Sequence, residues 1–453
     1  MEIHITKEEQ FIFTAKLKKI LGILLVVGLV IAGLGIWQSM AGSDHGAEGH
    51  GTEGAHIEME ASDGRSNEIA HDGTGDPTVH DEAAHGGEHP VWLRRLYANL
   101  WINNVYFTGF AVIGLFFVAI QYVAQAGWSA GILRVPLAMA AWLPIAGVLM
   151  LVVFLLGGHD LFHWTHEYLF DPASPDYDEV IAGKEGYLNT FFYIGRMVAY
   201  FVIWTGAFFI IRKQSLQEDL HGGTSYWYAL RKYSAIFIVL FAVTSSTSAW
   251  DWVMSVDPHW FSTMFGWYVF ASWWVSGLAL ITFLVVMLKD YGYLKIVNAN
   301  HLHDLGKFVF AFSIFWTYIW FSQFLLIYYA NIPEESIYYI ERLSNDKYAP
   351  VFFLNLIVNF VFPFFVLMTR DAKRLPIFLK IVCAIIIFGH WLDFYLMITP
   401  GVMKDEGGIG LLEIGMLMVY GCAFLFVTFV TLSKSALVQK NHPMLEESIH
   451  HHI

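Results

Sequence analysis

The chain has 453 residues, of which 56% are hydrophobic and 17% aromatic against only 14% charged. A soluble domain of this size needs far more charge, so composition excludes one and implies an integral membrane protein. The formal net charge of −13 lies mostly between apolar runs, and the only two cysteines, Cys383 and Cys422, sit inside them, which excludes a zinc ribbon or an iron–sulfur centre held by this chain.

A spanning helix needs about 20 largely apolar residues. Ten stretches qualify, running roughly from Ile20 to Met40, Asn99 to Val123, Leu133 to Gly157, Tyr187 to Ile211 and Tyr233 to Val256, then Met264 to Leu288, Lys307 to Ala330, Val351 to Thr369, Ile377 to Thr399 and Gly410 to Leu432. Their length predicts helices rather than barrel strands, hence an all-α polytopic membrane protein. Lysine and arginine set the orientation. With the N-terminus in the cytoplasm, one side receives Lys16, Lys18, Lys19, Arg134, Arg212, Arg231, Lys289, Arg374 and others, while the opposite loops hold few. This predicts a bacterial inner-membrane protein with both termini cytoplasmic. The first apolar run resembles a signal peptide but is long for one, so a retained anchor is expected.

Composition divides the chain further. Residues 1–19 form a cytoplasmic N-terminus, 20–40 the anchor and 41–92 a periplasmic loop rich in His, Gly and acid. Residues 93–258 and 259–400 make two helical bundles, which suit a four-helix grouping each. Residues 401–434 hold the last span and 435–453 a cytoplasmic tail. The loop carries His45, His50, His56, His71, His80, His85 and His89; such a tract is expected to be a solvated linker rather than a metal site.

Ionisable residues inside a membrane are costly and mark paths for protons, ions or redox ligands. Those of this chain gather toward the outer side. At the end of the third span stand His159, Asp160, His163, His166 and Glu167. If that run stays helical, the three histidines share one face and could relay protons or meet a quinol; the plain alternative is a wet helix end. In the fifth span Asp251 follows a run of serines and threonines, and either holds a water file or serves as a structural partner for Arg196 in the fourth. The ninth span carries His390 and Asp393 three residues apart. Asp393 is expected to orient His390 near the outer end of its helix, with Glu413 entering the tenth span from the same side. Asn355 and Asn359 mark the middle of the eighth. No metal site is expected. Four deep histidines for a dihaem cytochrome are lacking, and no nucleotide-binding glycine pattern occurs.

Three stretches carry a resemblance: Trp250-Asp251-Trp252-Val253-Met254-Ser255-Val256-Asp257-Pro258-His259-Trp260-Phe261-Ser262-Thr263-Met264-Phe265-Gly266, then Tyr328-Tyr329-Ala330-Asn331-Ile332-Pro333-Glu334-Glu335, and the histidine run at 159–166. They resemble the NrfD/PsrC-like membrane subunits of the bacterial alternative complex III, a quinol:cytochrome c oxidoreductase, over roughly Leu93 to Leu432. The anchor and the His-rich loop make the likeness ActF-type rather than ActC-type. The resemblance implies a ten-helix subunit packed in lipid against a paralogous NrfD-like subunit, an iron–sulfur subunit, a multihaem cytochrome c subunit and small membrane subunits. Haem c and iron–sulfur clusters then sit in partners and this chain binds no cofactor of its own, quinol excepted if it binds here. It further implies a part in proton movement for His159, His163, Asp251, His390, Asp393 and Glu413. Three other readings stay open: the quinol-oxidising subunit itself, with a slot walled by Trp250, Trp252 and Phe261; a secondary transporter, which requires inverted repeats; and a purely structural scaffold. Nucleic acid is no partner.

Overall fold

Apolar runs of this length must satisfy every backbone group internally once in lipid, and only helices do so within one segment. The computed structural model describes residues 10–46 and 89–452, and among them it contains 10 helices long and apolar enough to cross a membrane. The protein is thus an all-α, multi-pass membrane protein. The loop histidines His50, His56, His71, His80 and His85 lie outside the described residues.

In chain order the helices are α1 (Ala15–Gly46), α2 (Val91–Ala124), α3 (Arg134–Met139), α4 (Leu143–Leu161), α5 (Glu179–Ala182), α6 (Thr190–His221), α7 (Ser225–Trp252), α8 (Phe265–Asp290), α9 (Ala299–Ala330), α10 (Pro333–Ser344), α11 (Ala349–Leu356), α12 (Phe362–Val366), α13 (Pro376–Met403), α14 (Leu411–Leu432) and α15 (Leu445–Ile449). Each predicted span is found. α3 and α4 form one crossing and α11 and α12 another. The short helix α10, which no span prediction contained, follows Pro333 and buries Tyr338, Tyr339 and Arg342 on one face.

Burial separates centre from rim. α2 and α8 are almost wholly enclosed, and α13 nearly so, whereas α1, α9, α11 and α14 turn much of their surface outward. α2 packs against α4, α7, α8, α13 and α14, and α8 packs against α9 and α13. The first and last spans lie against each other: α1 runs along α14. Close approach there rests on small residues, since a Cβ on Gly35 would stand 2.3 Å from the Leu412 backbone and one on Gly415 2.4 Å from that of Ala32. Small residues let membrane helices pack backbone to backbone, where dispersion replaces the missing hydrophobic drive.

One end of the bundle carries His159, Asp251 and Arg342; the other carries Arg134, Glu218 and His301. The charge bias predicts the His159 end to be the outer one.

Candidate functional site

The deepest polar cluster is built on α13. The helix runs from Pro376 to Met403, so His390 stands fourteen residues from its start and thirteen from its end. The sequence-based expectation put this pair near the outer end; the longer helix places it at the middle. Three further helices bring partners. Asp393 Oδ1 accepts from the Tyr268 hydroxyl on α8 and, at 2.8 Å, from Asn355 Nδ2 on α11. Its Oδ2 accepts from Trp316 Nε1 on α9 at 2.9 Å. Asn359 Nδ2 continues the chain by donating to Asn355 Oδ1 at 2.6 Å. Asp393, His390, Asn355 and Asn359 are all fully buried.

Local sequence explains how Asn359 enters. Pro363 has no N–H, so the carbonyl four residues before it, that of Asn359, loses its normal helical donor. The backbone answers with a π turn over Ile357–Val361, in which the Phe362 N–H reaches back five residues to Ile357 O. Such turns often mark functional positions in helices. The side chain of Asn359 is pressed against Gly389, where a Cβ would meet Asn359 Oδ1 at 2.2 Å.

The expected His390–Asp393 hydrogen bond is not made. His390 Nδ1 and Asp393 Oδ2 are 3.8 Å apart, and His390 Nδ1 instead meets Ser272 Oγ at 2.9 Å. His390 Nε2 and Asn359 Oδ1 are buried with no hydrogen-bonding partner among the described residues, which is the setting in which internal waters are held. Chemically, Asp393 is a carboxylate whose three partners all donate. If it takes a proton, one oxygen becomes a donor, and Tyr268 is the partner able to reverse its hydroxyl and accept. The Tyr268–Asp393 pair can therefore shift a proton by rotation of the hydroxyl, while the Asn355 amide and the Trp316 indole hold the carboxyl in place.

The remaining candidates are tied down. Arg196 Nε and Nη2 hold Asp251 in a two-point pair at 2.8 and 2.9 Å, and Tyr200 donates to the same carboxylate at 2.8 Å. The guanidinium carbon lies 3.9 Å from the centre of the Tyr187 ring and 4.4 Å from that of Phe192. Asp251 is 1% exposed. Of the two readings of Asp251, this geometry favours the structural partner.

Glu413 is likewise closed. It accepts from Arg95 at 2.7 and 2.8 Å, from Asn99 at 2.9 Å and from the Gly410 N–H at 2.7 Å. It therefore caps its own helix and ties α14 to α2. The sequence reading did not find Arg95, because nothing in the local pattern links residues on the second and last spans.

The histidine run does not stay helical. Gly157 leaves helical geometry, α4 ends at Leu161, Phe162 is extended and His163–Thr165 form a separate 3₁₀ turn. The three imidazoles nevertheless gather through this break, with ring centres 5.3 Å apart for His159–His166 and 5.7 Å for His163–His166. His159 Nδ1 meets Thr165 Oγ1 at 3.0 Å, and Asp160 pairs with His89 at 2.9 Å. This cluster lies largely at the surface, and no group among the described residues has the arrangement to hold a metal ion.

Two cavities lie beyond Asp393 toward the His159 end. One, of about 10 Å³, is lined by Tyr268, Trp320, Tyr338, Tyr339, Arg342 and Phe352 among others. The second, of about 530 Å³, is more open and is lined by Glu341, Asn345, Lys347, Tyr348, Pro400 and Asp405 among others. Burial pushes the Glu341 carboxyl up from its ordinary value, with Lys404 and Arg342 opposing. No protein-family model matches the sequence, and no curated protein matches it.

Proposed function

We propose that this chain is an integral membrane subunit of a respiratory quinol:cytochrome c oxidoreductase of the alternative complex III type, supporting quinol oxidation and forming a proton half-channel on the periplasmic side. Asp393 is the central group of that half-channel. The observation that carries this reading is the fully buried Tyr268–Asp393–Asn355–Asn359 network with Trp316, set at mid-helix and followed toward the His159 end by two successive cavities. Quinol oxidation releases protons that must leave on the outer side, and a relay ending in an open cavity lined by three acids and two lysines suits that task. The respiratory assignment itself leans on the sequence resemblance, which also supplies the partners: a paralogous NrfD-like subunit, an iron–sulfur subunit and a multihaem cytochrome c. The membrane is then the bacterial inner membrane, with both termini cytoplasmic. The closed Asp251–Arg196 pair favours a supporting subunit over the quinol-oxidising one, since a quinol hydroxyl there would have to displace Arg196 or Tyr200.

The test is isolation of the tagged chain from its own membranes in mild detergent. Co-isolation of haem c, iron–sulfur clusters and quinol:cytochrome c turnover is expected. A chain that comes off alone, with none of these, contradicts the assignment.

A further inference from the structure

The linings of the two cavities meet at one interaction. Proline inside a helix cannot donate to the carbonyl four residues earlier, so Pro400 in α13 leaves Leu396 O without its helical partner. Arg342, on α10, fills the gap: its Nε donates to Leu396 O at 2.8 Å, Nη2 to Met397 O at 3.3 Å and Nη1 to Tyr338 O at 2.6 Å. The guanidinium lies 3.4 Å from the centre of the Tyr338 ring and is 3% exposed. Arg342 and Leu396 line the smaller cavity, while Glu341 and Pro400 line the larger. On the inner side of this clasp, Tyr268 bonds to Asp393; on the other, Glu341 approaches Arg342 at 3.9 Å, with Lys404 and Asp405 nearby around the larger cavity.

We infer that Arg342, clasped to the Leu396 and Met397 carbonyls beside Pro400, is the fixed-charge gate of the half-channel, separating the small cavity at Tyr268 from the open vestibule lined by Glu341, Asp346 and Asp405 with Lys347 and Lys404. This rests on the reading of Asp393 as the proton-carrying group. The smaller cavity has room for about one water, enough to connect Tyr268 to the clasp but not to bypass it. A buried guanidinium repels hydronium and other cations in a low-dielectric passage, as charged constrictions in selective pores do. Protons delivered to Asp393 by turnover leave when α10 shifts; outside cations do not enter while the clasp holds. α10 is suited to such a shift because its opposite face, with Ile337 and Ile340, is exposed and unattached to the bundle.

The test is cysteine accessibility in the full-length chain in lipid nanodiscs, with Cys383 and Cys422 changed to alanine and the probe placed by Leu396→Cys. Two small thiosulfonate reagents are compared, one cationic and one anionic. With Arg342 present the probe should be nearly unreactive to both. Arg342→Gln should raise the cationic rate by about tenfold or more. Arg342→Lys, which keeps the charge, should hold that increase down. Pro400→Ala returns an N–H to Leu396 O and loosens the clasp while keeping Arg342, so the anionic reagent should gain more than the cationic one. That charge preference is what a purely packing role would not produce, and the Pro400→Ala and Arg342→Lys arms carry the test if Arg342→Gln does not fold. Equal reactivity toward both reagents in every variant, or no gain in Arg342→Gln and Pro400→Ala, overturns the gate. A charge-selective barrier combined with unchanged proton release in Asp393→Asn overturns the Asp393 reading instead, and leaves the barrier standing.

Discussion

Removing one member of the Arg196–Asp251 pair should destabilise the protein, and removing the other as well should restore most of the loss. The carboxylate accepts two guanidinium bonds and one tyrosine hydroxyl, and is 1% exposed, while the Arg196 side chain is 10% exposed. Breaking such a buried pair from one side costs about 3–5 kcal/mol, because the survivor stays charged or must be neutralised in place. Arg196→Met leaves Asp251 without its charged partner and should fall at the upper part of that range. Asp251→Leu is gentler, since Arg196 keeps its bond to Tyr187 O and its contacts with the Tyr187 and Phe192 rings. Replacing both with apolar side chains of similar volume removes the uncompensated charge, and the double variant should return to within about 1–2 kcal/mol of the parent. The assay is denaturant or thermal unfolding of the four proteins in nanodiscs, followed by tryptophan fluorescence. A double variant that loses the sum of the two single effects would refute the pairing argument.

Other expectations follow from different parts of the structure. Glu413→Gln keeps the shape of the α14–α2 tie but weakens its charge-assisted bonds to Arg95, so it should cost about 1–3 kcal/mol and leave turnover unchanged; a large loss of turnover with normal stability would place Glu413 back in the proton path. Gly415→Leu forces a side chain into the Ala32 backbone and should separate α1 from α14, whereas Gly33→Leu, where a Cβ meets nothing within 4 Å, should be tolerated; disulfide trapping between cysteines placed on α1 and α14 reads the difference. His442 in the tail is buried against Tyr122, and burial pulls its imidazole down to about 4. The unfolded or undocked tail therefore binds a proton that the docked tail refuses between about pH 6.5 and 4, so docking weakens as pH falls through that window, by up to about 3 kcal/mol. Protease sensitivity of the tail should rise on acidification, and His442→Phe should flatten the dependence.

Local pattern was enough for the crossings, because each span is an apolar run whose length alone decides its fate. The ten helices match the predicted runs, although α1, α6 and α9 extend past the apolar stretch into polar ends. Pattern also brought His390 and Asp393 onto a shared helix face and put Asn355 and Asn359 at the middle of their span. It could not say what these residues meet. Tyr268 lies 125 residues from Asp393 and Trp316 77 residues from it, and no periodicity links positions on different helices. The histidine run misled for the opposite reason: a seven-residue helical spacing from His159 to His166 assumes a continuous helix, but α4 ends at Leu161 and Phe162 is extended. One overlooked signal was readable. A proline at 400 inside an apolar helix announces a carbonyl in need of a donor, and an arginine on a short amphipathic segment after Pro333 was available to supply it.

The central claim, that Asp393 carries protons outward, is tested most directly by proton release. The purified assembly containing this chain, parent or Asp393→Asn, is reconstituted in vesicles, and protons released per electron are followed with a pH dye during quinol oxidation by cytochrome c. The account predicts a fully assembled Asp393→Asn complex whose turnover slows and whose proton release on the outer side falls in step. Undiminished turnover and an unchanged proton-to-electron ratio in that variant would contradict it.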